Sequence, residues 1–447
     1  MNAVILAVVV MVGLSLARVS VIFALVAAAL VGGLTADMPI AEILSAFNDG
    51  LGGGAEIALA YATLGAFAVA LSRSGLPETL AATVIRRLHG GDSPGARAAV
   101  KYTLLAALLG AGVLSQNAIP VHIAFIPILV PPLLHVMNRI GIDRRAVACV
   151  LTFGVTAPYM LLPVGFGAIF LEDILIANIN QAGEASGFSV NAATAPTAML
   201  VPVAGMVVGL ITAVFATYRG RRDYEDRDTV EAAHAPSDEH DRGRLPIVMA
   251  AAAAALTLGV QLYTDSMILG ALFGFAVLSV TGIFHWREAD DVFTAGVRMM
   301  ALIGFIMIAA SGFASVMQAT GEIETLVRSS VELIGDNRSL AALIMLTVGL
   351  FITLGIGSSF STIPIIAAIY VPLAQAFGFS PLATVCLVGT AAALGDAGSP
   401  ASDSTLGPTA GLDADDQHDH IWDTVVPTFL HYNIPLLIFG WIGAISL

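Results

Sequence analysis

The stretch that decides the fold lies near the carboxyl end of the chain and reads Gly395-Asp396-Ala397-Gly398-Ser399-Pro400-Ala401-Ser402-Asp403-Ser404-Thr405-Leu406-Gly407. Apolar runs flank it on both sides, yet it carries two carboxylates and four hydroxyls within ten residues. Its glycines and proline interrupt helical geometry. A charge at the centre of a membrane helix costs about 2.5–3.5 kcal/mol even on the lenient insertion scale. The pattern therefore predicts a broken membrane helix whose polar residues serve a function.

The composition of the whole chain indicates a polytopic membrane protein. Of its 447 residues, 57% are hydrophobic and only 12% are charged, and the mean hydropathy is +0.87. Soluble domains are about 25% charged, so these values exclude an ordinary cytosolic enzyme, a nucleic-acid-binding protein and a disordered protein. Apolar runs long enough to cross about 30 Å of hydrocarbon recur from end to end. The net charge of −14 is expected on solvated loops.

The chain repeats itself, with a spacing between its halves that drifts in one direction. The spacing is 246 residues near the amino terminus, 244 between Ser115 and Ser359, and 237 between Cys149 and Cys386. Matches that keep their order along both halves are the signature of a repeated architecture. They predict a first repeat at residues 1–218, a polar linker at 219–244 and a second repeat at 245–447.

Each half is predicted to hold a polar-tipped hairpin and an interrupted helix, at 98–138 and 145–180 in the first half and at 339–378 and 381–410 in the second. Basic residues favour the cytoplasmic side, so Lys101 and Arg139 place both ends of the first pair there. The pair is therefore either two crossings or one re-entrant hairpin, and its prolines and polar tip favour the hairpin. Further amphipathic stretches are expected at the interface, at 39–51, 76–90, 288–297 and 321–335.

The predicted fold is an all-α polytopic membrane protein built as an inverted repeat of two halves. It combines about ten membrane crossings with two re-entrant hairpins and two interrupted helices, the plan by which secondary transporters place a site near the midplane. An odd number of crossings in the first half inverts the second half. The positive-inside rule makes the linker at 219–244 cytoplasmic and places both termini outside.

Asp396 and Asp403 are predicted to form the ion site. In a continuous helix they would share a face two turns apart, whereas across the break they could converge on one ion. Carboxylates together with the hydroxyls of Ser399, Ser402 and Thr405 suit a hard cation such as Na+, or a proton. The alternative is that these side chains cap the ends of a broken helix, which is compatible with ion binding.

The hairpin tips supply a second ring of candidate ligands, namely Ser115, Gln116, Asn117, Ser359, Ser361 and Thr362. These groups either bind an ion or a small polar solute or cap the local turns. His122 is a candidate proton relay or else a satisfied buried histidine. His431 and Asn433 are candidates for a proton relay at the site or for contacts between helices. The run at 413–420 is either a metal-binding or pH-sensing loop or a solvated face.

Three stretches resemble transporter sequences. Residues 389–405 resemble the signature of NhaC-type Na+/H+ antiporters in the ion transporter superfamily. Residues 115–127 and 418–424 resemble a bacterial subgroup of that superfamily, the Na+/H+ antiporter family. The resemblance implies an elevator-like fold with a scaffold and a mobile transport domain, a homodimer, and a place in the bacterial inner membrane. Amino-acid uptake, of histidine in particular, is the competing assignment within the family.

Two functions follow from these patterns. The first is Na+/H+ antiport, in which Na+ and H+ compete for Asp396 and Asp403 while the surrounding bundle moves across the membrane. The second is Na+- or H+-coupled uptake of an amino acid, whose carboxylate the tip amides would hold. Neither function needs an enzyme active site, a nucleic-acid partner or a cofactor other than the coupling ion. An intramembrane aspartyl protease is disfavoured, because its second aspartate belongs on a separate helix.

Overall fold

The structure is a computed structural model, and it describes residues 2–17, 19–74, 94–117, 126, 129–225, 227, 244–264, 266–356, 358–400 and 402–447. Within these residues the regular structure is helical, and the β pairing is confined to a single bridge between Ile142 and Arg221. The prediction of an all-α fold is confirmed for this part of the chain. The predicted amphipathic stretch at 76–90 and the candidate His122 lie outside the described residues.

The first half of the chain forms helices α1 to α8. Their bounds are Ala3–Leu16 (α1), Val21–Thr35 (α2), Ile40–Ser72 (α3), Pro94–Asn117 (α4), Leu134–Ile140 (α5), Arg144–Thr156 (α6), the successive turns Phe166–Ala168, Ile169–Ile176 and Ala177–Gly183 (α7), and Ala195–Thr212 (α8). The helix α8 continues into a wide π turn at Ala213–Thr217. Residues 157–165, between α6 and α7, form the first helix break.

The second half forms helices α9 to α17. Their bounds are Arg244–Thr264 (α9), Met267–Val280 (α10), Ala289–Ala319 (α11), Glu322–Ile334 (α12), Arg338–Ile356 (α13), Ser359–Ala376 (α14), Pro381–Ala393 (α15), Asp403–Leu412 (α16), and the successive segments His420–Val425, Val426–Thr428, Phe429–Asn433 and Ile434–Ser446 (α17). Residues 394–400 and 402, between α15 and α16, belong to the second helix break.

The helices before the two breaks start and end at equivalent positions. α6 and α15 both have 13 residues, and their first residues are separated by the 237-residue spacing read from the sequence. Each follows a left-handed glycine, Gly141 with φ 68° and Gly378 with φ 69°. Each begins at a side-chain cap, supplied by Asp143 and Ser380. The recurrence supports a duplication, while the inverted orientation of the two halves stays a prediction.

Two predicted interfacial stretches are instead parts of long helices. The stretch at 39–51 continues without a break into α3, which has 33 residues, and the stretch at 288–297 continues into α11, which has 31. These helices pack closely on each other: a Cβ atom at Gly296 would lie 2.2 Å from the backbone nitrogen of Ala66. At Gly50 a Cβ atom would lie 2.6 Å from the backbone carbonyl oxygen of Ser311, so this glycine also permits the close packing of α3 on α11.

Within the described residues, four helices are long and apolar enough to cross a membrane, at Arg97–Asn117, Ala192–Thr217, Pro381–Leu412 and His420–Ser446. The described part of the chain also holds shorter apolar helices, among them Val248–Gln261, Arg338–Leu354 and Thr362–Ala376. Of these four, the segment that contains the second break is the most enclosed, because 94% of the apolar window in Pro381–Leu412 is buried inside the protein. The number of crossings and the re-entrant nature of the hairpins stay predictions.

Candidate functional site

The second break carries Asp396 into the interior of the protein. α15 ends where Leu394 becomes extended and Gly395 takes φ +91°, a backbone conformation that favours glycine. The N–H of Gly395 donates to Oδ1 of Asn433 over 2.6 Å. Asp396 follows in a short turn with only 6% of its surface exposed. The chain becomes helical again at α16, where the Ser402 side chain accepts from the N–H of Ser404.

Four hydroxyl groups surround the Asp396 carboxylate. Its Oδ2 lies 2.7 Å from the Tyr159 hydroxyl and 2.8 Å from Oγ of Ser359. Its Oδ1 accepts from Oγ of Ser402 and lies 3.4 Å from Oγ of Ser404. The four donors come from the first break, the tip of the second hairpin and the second break itself. A buried carboxylate is thus held by neutral hydroxyls and by no cation among the described residues.

Tyr159 is the point at which the two breaks meet. Its ring packs against Phe170 at 4.8 Å and Phe360 at 5.1 Å between centroids, so its hydroxyl has little freedom to move. Tyr159 and Asp396 are 237 positions apart, the spacing that relates Cys149 to Cys386. Two positions that the predicted repeat makes equivalent therefore touch each other, one as a phenol and the other as a carboxylate.

The tip of the first hairpin packs on the first break. Nδ2 of Asn117 donates to the carbonyls of Leu162 and Val164 over 3.3 and 3.0 Å. Oγ of Ser115 donates to the carbonyl of Gly112 in its own helix. Of the two roles allowed for this residue, ligand binding and local capping, the contact matches local capping. Among the described residues, Oδ1 of Asn117 and Oε1 of Gln116 are buried without a hydrogen-bond partner. Such orphaned polar atoms are costly unless a ligand or water meets them.

Several predicted ligands hold the backbone of the break instead of the carboxylate. The Thr405 hydroxyl lies 2.6 Å from the carbonyl of Ser399 and 2.9 Å from that of Ser402. Oγ of Ser399 lies 3.4 Å from the carbonyl of Leu354 on α13. In α14 the Thr362 hydroxyl bonds back to Ser358, and the side chain of Ser361 lies outside the described atoms.

Asp403 and His431 lie apart from the hydroxyl cluster. The Asp403 side chain, at the first position of α16, is exposed, although its charge is close enough to Asp396 for the two to repel. His431 lies 2.9 Å from the Thr217 hydroxyl through Nε2 and 2.8 Å from the carbonyl of Pro427 through Nδ1. Of the two roles that the sequence allowed for His431, these contacts match the contact between helices. Asn433 instead contacts the second break.

Sequence reasoning missed two residues of the cluster, Tyr159 and Ser404. Tyr159 is the only polar side chain in the first break between positions 157 and 167, and it occupies the position equivalent to Asp396. The 237-residue spacing between Tyr159 and Asp396 could therefore have indicated from the sequence that Tyr159 belongs to the site. Ser404 stood in the quoted stretch, but nothing in the sequence distinguished it from its neighbours Ser402 and Thr405.

Comparisons with known proteins identify the family of the chain. The model of a family described as "Na+/H+ antiporter family" matches residues 150–441, which include both breaks. A second family model, described as "Na+-H+ antiporter family", matches residues 2–88. The chain belongs to the Na+/H+ antiporter family. The resemblance seen in the sequence is confirmed. Because this family and the structural relatives are transporters, the chain is a secondary transporter.

Two related bacterial proteins match this chain over its full length. A membrane protein of Vibrio parahaemolyticus is 59% identical, and the match covers 100% of both chains. A protein of Bacillus subtilis provisionally named an amino acid transporter, YuiF, is 51% identical with the same coverage. The YdaH transporter of Alcanivorax borkumensis is 16% identical with a TM-score of 0.61, covering 91% of this chain and 88% of YdaH. MtrF of Neisseria gonorrhoeae, from a class of antimetabolite efflux pumps, has the same TM-score and identity, covering 91% and 83%. At this identity the two solved structures show the fold alone.

A hard monovalent cation fits the donor set of this antiporter-family site. Carboxylate and hydroxyl oxygens are the ligands that hard cations prefer. Among the described residues no group of three or more His, Cys, Asp or Glu side chains comes together, so the site lacks the donors of a transition-metal centre.

A second polar cluster lies where the chain leaves α16. The Arg144 side chain is fully buried and binds both carboxylate oxygens of Asp415 over 2.6 Å, and its guanidinium stacks on Tyr224 at 4.3 Å. Burial alone would raise the pKa of Asp415, but the hydrogen bonds and charge of Arg144 outweigh it and lower that pKa. Burial lowers the pKa of His418 to about 4, and the charges of Arg144 and Arg222 act in the same direction.

Proposed function

We propose that the chain is a Na+/H+ antiporter in which Na+ and H+ compete for Asp396. The observation that carries the proposal is the buried Asp396 carboxylate, whose two oxygens are met by hydroxyls from both breaks and from the second hairpin tip. A lone buried carboxylate is unstable as an anion and gains from either a proton or a metal cation. Since one charge takes one monovalent ion, binding of one excludes the other.

The hydrogens at the site account for the competition. Oδ2 of Asp396, the Tyr159 hydroxyl and Oγ of Ser359 form a triangle with edges of 2.7, 2.8 and 2.8 Å. With Asp396 protonated, three hydrogens fill the three edges, and each oxygen donates one bond and accepts one. With Asp396 ionised, only two hydrogens remain for three edges. The triangle then has lone pairs free to coordinate Na+.

Transport across the membrane would follow an elevator-type movement. The long helices α3 and α11 pack closely enough to act as a scaffold, while the breaks and hairpin tips interlock into one unit through Asn117, Tyr159 and Asp396. Such a unit can move as a rigid body without disturbing the ion site. The further expectations of a homodimer, a bacterial inner membrane and external termini belong to this proposal.

A second candidate function is Na+- or H+-coupled amino-acid transport, favoured by three buried amide atoms without partners among the described residues. Oε1 of Gln116 and Oδ1 of Asn117 can accept from an ammonium group, and Nδ2 of Asn433 can donate to a carboxylate. Asn433 cannot simply be flipped, because its Oδ1 accepts from the Gly395 N–H. The relative YuiF, 51% identical, carries a provisional name as an amino acid transporter.

Flux measurements in proteoliposomes test both functions. Acid-loaded vesicles are given external Na+ while a dye reports internal pH, and antiport predicts alkalinisation of the lumen. Asp396→Asn removes the charge, which at about 4 Å and an effective dielectric constant of 20 is worth about 4 kcal/mol, roughly a thousandfold in affinity. The exposed Asp290→Asn is the matched control and should transport normally. Accumulation of an amino acid without Na+-dependent alkalinisation would refute antiport and support the second candidate.

A further inference from the structure

The last helix, α17, forms a hydrogen bond to the second break near each end of the break. α17 contains two wide π turns, His420–Val425 and Phe429–Asn433, a feature that often marks functional sites. From the second turn, Oδ1 of Asn433 accepts from the N–H of Gly395 over 2.6 Å. From the first turn, Nε2 of His420 lies 2.9 Å from the carbonyl oxygen of Pro400. Gly395 and Pro400 bracket the turn that carries Asp396.

The hydrogen on His420 is determined by its partner. A carbonyl oxygen only accepts, so Nε2 of His420 must carry a hydrogen. Nδ1 lies 2.8 Å from the Thr409 hydroxyl, which can donate to a neutral ring or accept from a protonated one. The ring therefore keeps its orientation, and its bond to Pro400, in either charge state.

A chain of hydrogen bonds keeps His420 in place. The Thr409 hydroxyl lies 3.0 Å from that of Thr424, which lies 2.7 Å from Nε2 of the buried His418. Thr409 belongs to α16, the helix that begins directly after the break. His420 is thus anchored to α16 on one side and holds the break on the other.

We infer that His420 is a positioning residue for the cation site, acting through the Pro400 carbonyl. Two residues after Pro400, the Ser402 hydroxyl donates to Oδ1 of Asp396. Only one residue separates Pro400 from Ser402 along the chain, so loss of the bond to the Pro400 carbonyl is expected to shift the Ser402 hydroxyl away from Oδ1 of Asp396. The inference rests on the proposed function in one respect only, that Asp396 binds the transported cation. It also gives a role to the end of the run at 413–420, which the sequence left open between a sensing loop and a solvated face.

Two substitutions at His420 separate positioning from simple structural support. His420→Leu removes the donor to Pro400, whereas His420→Gln retains an N–H donor of similar reach. In proteoliposomes His420→Leu should raise the half-saturating Na+ concentration about tenfold, the loss expected for one hydrogen bond, with the maximal rate within about twofold. His420→Gln should restore the half-saturating concentration to within about threefold of the wild type. His285→Leu, the same change at an exposed histidine, is the control and should have no effect.

Hydrogen–deuterium exchange gives a readout that does not depend on transport. The backbone amides of residues 395–399 and of Ser402 should exchange faster in His420→Leu than in the wild type, and at the wild-type rate in His420→Gln. If His420→Leu does not fold, Thr409→Val is the milder test, because it releases only Nδ1 of the ring. Unchanged exchange and an unchanged half-saturating concentration in these variants would overturn the inference. Absence of Na+/H+ exchange in the wild type would instead refute the proposed function, and the exchange data would still decide the role of His420.

Discussion

Replacing Gly165 by alanine tests the contact between the first helix break and the first hairpin tip. Gly165 has φ 60° and ψ −128°, a region essentially reserved for glycine, where other residues pay about 1–3 kcal/mol. A Cβ atom there would lie 2.0 Å from the backbone carbonyl oxygen of Asn117. Relieving that collision requires a backbone shift that costs about 1–3 kcal/mol in a packed interior. The substitution should therefore lower the free energy of unfolding by about 2–6 kcal/mol.

Gly187 provides the matched control for Gly165. It also has a positive φ, 69°, but a Cβ atom there would meet nothing within 4 Å. Gly187→Ala should cost only the left-handed backbone strain, about 1–2 kcal/mol. Unfolding of the purified variants in detergent, followed by tryptophan fluorescence during denaturant titration, measures both values. Equal losses of stability in Gly165→Ala and Gly187→Ala would show that Asn117 and Gly165 are not in contact and would refute the packing of tip on break.

Two further predictions concern the polar cluster beside α16. Asp415→Asn leaves the buried Arg144 guanidinium without its counter-charge and should cost about 3–5 kcal/mol in denaturant unfolding; an unchanged midpoint would mean that the ion pair is not buried. His418 is kept neutral by burial, which lowers its pKa to about 4. Because the unfolded chain binds a proton below about pH 6.5, stability should be full above that pH and fall by about 3 kcal/mol on acidification to pH 4. His418→Gln should remove this pH dependence, and a variant that keeps the wild-type slope would contradict the assignment.

The second break could be predicted from the sequence because its signals are local. Asp396 stands in an apolar stretch where a charge is expensive, and Gly398 and Pro400 next to it cannot continue a helix. The structure accordingly leaves residues 394–402 outside the helices α15 and α16. The proposed duplication also gave the bounds of the helix before each break. Local chemistry and repeat spacing were sufficient for these features.

The partners of Asp396 could not be predicted in the same way, because they depend on tertiary packing. Tyr159 and Ser359 reach the carboxylate from 237 and 37 positions away. Conversely, Ser115 and Thr362 looked like ligands because of their type and place, but their hydroxyls bond to carbonyls of their own helices. A hydroxyl near a helix end can always bond to a nearby backbone carbonyl. The packing around it decides whether it does so or binds a ligand.

If the chain is the antiporter we propose, the chemical difference between its two helix breaks would let one site couple two fluxes. Had both breaks carried an aspartate at the equivalent position, two carboxylates would face each other and repel. The first break instead presents Tyr159, so Asp396 is the one carboxylate held by the hydroxyl cluster, and Asp403 lies outside the cluster with its side chain exposed and close enough to repel Asp396. Loaded with one Na+ or one proton, such a cluster is neutral and can cross the membrane interior at low cost. Empty, it carries one uncompensated charge whose burial is expensive. Under the proposed antiport the empty carrier would therefore be held back, and each loaded movement in one direction would be matched by a loaded movement in the other.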